Sequence, residues 1–127
     1  MAQGGRGEPL AGNLSHKPRL HIMAWIYLTV AGLFEIGWAV GLKYTEGFTK
    51  FWPSVATIAA MIASFGLLAA ALKTIPVGTG YAVWTGIGAA GTALLGMVLF
   101  DESRDVIRML CILLIIGGVL GLKFAST

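Results

Sequence analysis

Residues 24–42 read AWIYLTVAGLFEIGWAVGL, nineteen positions in which Glu35 is the one charged residue. A helix needs about 20 apolar residues to cross the hydrocarbon core of a bilayer. This run has that length, and Glu35 stands well inside it. An ionised carboxylate at such a depth costs roughly 2.5–3.5 kcal/mol on insertion scales. A chain that places an acid there has either given it a partner or kept it protonated. Both options are chemistry, so the search for function starts at Glu35.

The rest of the chain extends the same reading. It has 127 residues, 57% of them hydrophobic and 12% charged. Soluble domains carry about twice that charge, near 25%. Further apolar stretches cover residues 53–72, 80–100 and 106–122, with nearly all charges in the short connections. The last span reaches crossing length by recruiting Val106 and Ile107, with Arg108 and Lys123 extending to the interfaces. The composition predicts an all-α integral membrane protein with four transmembrane helices, in one domain over residues 23–127. Residues 1–22 are rich in Gly, Pro and polar groups without an apolar period, which predicts a disordered tail, and Met23 is a possible alternative start.

Several function classes fall away. A cleaved signal is disfavoured by the length of the first run, against about 7–15 residues for a signal core, and by Glu35 within it. The net charge of +3 comes mainly from the tail, and no basic cluster meets aromatic residues, so no nucleic acid partner is expected. Cys111 is alone and cannot form an intramolecular disulfide. His16 and His21 lie in the tail, and no second acid accompanies Glu35 in the spans. Neither a metal, a cofactor nor enzyme chemistry is expected. Residues 86–91 spell G-x-G-x-x-G, but inside an apolar span and without a βαβ unit. The glycines there are read as thinning a helix for packing or weakening it at a hinge.

Four spans put both termini on one side. That side carries Arg6, Lys17, Arg19, Lys73 and Lys123, and the other Lys43, Lys50, Arg104 and Arg108. The positive-inside rule needs a clear excess. Here the bias is small and its sign depends on the tail, so insertion in a single orientation or in both stays open, and the second would permit an antiparallel dimer. Four helices alone cannot both hide Glu35 and enclose an aqueous cavity, so self-association is expected. Gly117 and Gly121, spaced as G-x-x-x-G on the last span, are the candidate dimer interface.

Helical spacing gives Glu35 its neighbours. Gly32 and Trp38 lie three positions before and after it, on the same face. The glycine leaves room for a ligand or a close helix; the indole offers an N–H donor and an electron-rich face for a cation. On the third span Tyr81 and Trp84 share a face that Thr85 and Gly88 continue, and Ser64, mid-span on the second, could donate to a carboxylate. Plainer roles compete: Tyr81, Trp25, Tyr27 and Trp52 as interfacial aromatics, Ser64 bonded to its own helix, Trp38 packed against lipid. Asp101, Glu102 and Asp105, with Arg104 and Arg108, read as a solvated helix connection.

Three segments then carry a resemblance: Phe34-Glu-Ile-Gly-Trp-Ala-Val-Gly-Leu-Lys-Tyr44, Gly47-Phe-Thr-Lys50, and Lys73-Thr-Ile-Pro-Val-Gly-Thr-Gly-Tyr-Ala-Val-Trp-Thr-Gly-Ile-Gly88. From Met23 onward the chain resembles the small multidrug resistance family, and within it the guanidinium-exporter branch. The resemblance implies a proton-coupled antiporter of the bacterial inner membrane, an antiparallel homodimer in which two copies of Glu35 bind protons and cation in alternation. It implies that Trp38, Ser64, Tyr81, Trp84 and Gly32 line that site, with Trp38 the mark of the guanidinium branch. A departure is Gly80, where relatives usually carry alanine. The rival within the family is a polyspecific exporter of quaternary ammonium compounds. A rival outside it is a structural subunit whose Glu35 pairs with a partner's basic residue.

Overall fold

In a computed structural model of the chain, the backbone of residues 7–125 and the side chains of residues 19–125 are described. Four helices follow one another: α1 (Gly7–Thr45), α2 (Phe51–Ala71), α3 (Val77–Leu99) and α4 (Val106–Ala125). All four are long and apolar enough to cross a membrane. Helices satisfy every backbone group within the segment, which hydrocarbon demands.

The breaks have local causes. At the end of α1 the Thr45 hydroxyl donates to the Leu42 carbonyl at 2.8 Å and accepts from the Phe48 N–H at 3.2 Å. Glu46, Gly47 and Phe48 then all take positive φ, turning the chain sharply. Pro53 falls in the first turn of α2, where an N–H would have no helical partner. Asp101 (φ 54°) closes α3, and the Asp105 carboxylate caps α4 by accepting from the Arg108 N–H at 2.9 Å.

α1 is the centre of the molecule. It packs along both α2 and α3, which touch each other only sparsely, while α4 rests mainly on α3 and reaches α1 at Trp25 through Lys123. Leu28 and Ala31 of α1, Leu68 and Ala71 of α2, and Val83 and Trp84 of α3 form the main core. A second cluster of Ala90, Met97 and Ile112 joins α4 to α3. Without a hydrophobic drive between helices in lipid, close contact rests on small residues. A side chain at Gly86 would strike Val119 of α4, and one at Gly91 would strike Ile36 of α1. The G-x-G-x-x-G run therefore thins α3 on two faces for packing. At Gly80 an added carbon would meet the Leu72 side chain.

The backbone of residues 7–22, within the expected tail, continues α1 as helix; residues 1–6 lie outside the described residues. The helix needs no apolar period to extend, and the Trp25 indole N–H donates to His21 Nε2 at 3.1 Å across one turn. Trp25, read as an interfacial aromatic, is buried instead, with the Lys123 ammonium 4.9 Å from its ring centre.

Candidate functional site

Glu35 lies midway along the membrane-crossing part of α1 and turns its carboxyl group toward α3. The contact point is Gly88, where any Cβ would overlap the Glu35 carboxylate. Gly88 was legible as one of a face of residues, but its pairing with Glu35 was not. Beside them opens a cavity of about 460 Å³ between α1 and α3, walled by Glu35, Val40, Thr85, Gly88 and Thr92 and reaching Glu102 in the α3–α4 connection and Arg108 in the first turn of α4.

Among the described residues, four buried side-chain polar atoms lack a hydrogen-bond partner: Glu35 Oε1, Trp38 Nε1, Thr92 Oγ1 and Arg108 Nε. Native interiors hold few such atoms. Three of these four residues line the one cavity, and Trp38 shares the Glu35 face of α1. Unpaired acceptors and donors gathered in one place make a site for a polar ligand.

The other expected residues, Gly32, Trp38, Ser64, Tyr81 and Trp84, are not among those that line this cavity. Ser64 is fully buried, and its hydroxyl donates to the Ala31 carbonyl of α1 at 2.7 Å. It accepts in turn from the Trp84 indole N–H at 3.0 Å. The expected donation from Ser64 to the carboxylate is therefore corrected. The hydroxyl proton goes to backbone one turn before Glu35, and neither does it bond its own helix. Ser64 ties α1, α2 and α3 together at the level of the acid. Ser64→Ala removes the acceptor of a buried indole, at a cost of about 1–3 kcal/mol. A lower melting temperature in detergent is the expected result; an unchanged one would show that Trp84 finds another acceptor.

Gly32 serves the close helix and not an open space, because a Cβ there would stand 2.7 Å from Ile87 Cγ2. Tyr81 is exposed and packs its ring 5.5 Å from that of Trp84. Phe65, which the sequence did not mark, joins the group. Its ring lies 5.7 Å from Trp84 and 6.1 Å from Trp38, so Tyr81, Trp84, Phe65 and Trp38 form an aromatic row across three helices. The signal was a lone phenylalanine in an aliphatic span, one position after Ser64. Gly117 and Gly121 have open space around them in the single chain, on a helix whose outer face is largely exposed.

Comparison with known proteins adds the following. A profile of the family described as Small Multidrug Resistance protein matches residues 23–115. The chain is 58% identical over 104 residues to a guanidinium exporter of Proteus vulgaris, covering 82% of this chain and 100% of that protein. The guanidinium exporter of Yersinia pestis shows the same identity and coverage. That of Citrobacter freundii is 55% identical over 104 residues, 82% of this chain and 99% of its own.

Proposed function

The chain belongs to the small multidrug resistance family, and on that footing we propose that it exports guanidinium and small substituted guanidines by exchange for protons, as an antiparallel homodimer of a bacterial inner membrane. It is a multi-pass membrane transporter and not an enzyme. The observation that carries the reading is the unpartnered carboxylate of Glu35, facing from within an apolar span a cavity that Thr85 and Thr92 also line. Guanidinium is a planar cation whose N–H donors form a fork matched to a carboxylate. It supplies what the Glu35 oxygen lacks. The names of the relatives at 55–58% identity agree.

Antiport follows if cation and proton compete for the same oxygens. A pair of Glu35 side chains, one from each subunit, holds either a guanidinium or protons. Only an occupied pair then reorients, because an empty one would carry bare charge through the bilayer centre. Proton influx thereby drives cation efflux. Dimerisation closes the site and covers apolar surface. Gly117 and Gly121 are the proposed contact, since their open backbone suits a close helix. Trp38, Ser64, Tyr81, Trp84 and Gly32 complete the binding region. Trp38 limits its size, Ser64 and Trp84 hold its walls, and exposed Tyr81 meets the cation at the mouth.

Uptake assays comparing guanidinium with tetrapropylammonium test the reading. Guanidinium flux with tetrapropylammonium excluded supports it, whereas preference for the bulky ion favours a polyspecific exporter of quaternary ammonium compounds. Trp38→Gly should admit larger cations, seen as tetrapropylammonium flux absent from the parent protein. Unchanged selectivity would leave Trp38 a packing residue.

A further inference from the structure

On the cavity wall formed by α3, residues 88, 92 and 96 lie one above another at four-residue intervals. Gly88 receives the Glu35 carboxylate. Gly96 receives the carboxylate of Glu102, since a Cβ there would strike Glu102 Oε1. Thr92 stands between them, its buried hydroxyl unpartnered. With a rise of 1.5 Å per residue, the two glycine notches are about 12 Å apart along the helix. One cavity thus runs from a carboxylate at mid-span, past a free hydroxyl, to a second carboxylate at the membrane surface.

The second carboxylate already holds a guanidinium group. Arg108 Nη2 donates to Glu102 Oε1 at 3.0 Å, with both side chains partly exposed. The grip is incomplete: a single N–H reaches the carboxylate, and Arg108 Nε is buried without a partner. An arginine–carboxylate pair of full strength uses two parallel contacts. Partly exposed pairs of this kind contribute little and exchange readily. Three further charges nearby, Lys43, Arg104 and Asp105, are otherwise engaged. Lys43 sets its ammonium over the Phe100 ring, 5.2 Å from its centre. Asp105 caps α4, and Arg104 donates to the Met97 carbonyl at 2.9 Å.

Resting on the guanidinium reading, we infer that Glu102 is an outer station for the transported cation. Arg108 is its resting occupant, and Thr92 is the polar step between Glu102 and Glu35. A free guanidinium displaces the Arg108 side chain, binds Glu102 through two N–H groups, and passes along the α3 wall to Glu35. The station concentrates cations at the mouth of the cavity, and Arg108 competes for it.

The test is the concentration dependence of guanidinium uptake into proteoliposomes by the full chain, Glu102→Gln, Arg108→Gln and the double variant. A negative group at a low-dielectric cleft raises the local cation concentration about tenfold or more. Glu102→Gln should therefore raise KM roughly tenfold with little change in maximal rate. Arg108→Gln should lower KM, because it frees the station, and the double variant should match Glu102→Gln. An ion pair that merely braced the loop would move both single variants the same way. Such a result, or no change in either, overturns the station while leaving guanidinium export intact. A parent protein that moves no guanidinium overturns both. Glu102 lies in an exposed connection and half-buried Arg108 in the first turn of α4, and a matching elution profile in detergent checks that each variant is folded.

Discussion

Glu35→Gln is expected to fold, to insert, and to lose guanidinium binding and transport together. Glutamine keeps the size and the hydrogen-bonding oxygen of the side chain but neither its charge nor its ability to exchange a proton. Hydrogen bonds to charged groups are worth about 1.5–3 kcal/mol, so losing the carboxylate costs about tenfold to a hundredfold in affinity. Transport falls further, because the substituted site has no proton to trade. Folding is spared: Glu35 Oε1 holds no hydrogen bond for the substitution to break, and a neutral group is easier to place in lipid. Binding by titration calorimetry and flux in proteoliposomes read the two losses separately. Proton-coupled guanidinium flux in this variant would refute the assignment of Glu35.

Gly88→Ala should have nearly as large an effect, through a single methyl group. The added carbon occupies the space of the Glu35 carboxyl group. It either pushes the side chain out of the cavity or separates α1 from α3, and neither is small. Misplacement of a binding group by about 1 Å can cost on the order of a hundredfold. Transport should fall by about that factor with the carboxylate still present. The comparison with Gly66→Ala is informative, since a Cβ at Gly66 meets open space and should leave flux near that of the parent. Equal rates for Gly88→Ala and the parent protein would show that Glu35 does not work from the position described.

The four spans were legible because hydrocarbon imposes length and polarity on a helix more strictly than water does. Glu35 was legible for the same reason, as a charge where charge is costly. Its neighbours Gly32 and Trp38 followed from the helical repeat within one span. What could not be read was the register between spans. Periodicity shows which residues share a face of α3 but not that Gly88, among several glycines, receives Glu35. It likewise places Ser64 mid-span without showing that its proton goes to Ala31. Thr92 was not singled out and Glu102 was read as part of a solvated connection, because they come from the far half of α3 and from a loop, and only the cavity relates them to Glu35. The helical backbone of residues 7–22 could not be read either, because an absent apolar period argues against a buried face, not against a helix.

The account turns on one claim: that the Glu35 carboxylate trades guanidinium for protons. Its most direct test uses proteoliposomes of the full chain loaded with a pH-sensitive dye, with guanidinium added outside and no imposed pH gradient. Guanidinium moving inward should expel protons and raise the internal pH, and Glu35→Gln should show no such change. Guanidinium uptake without proton movement, or an equal response from the glutamine variant, would contradict it.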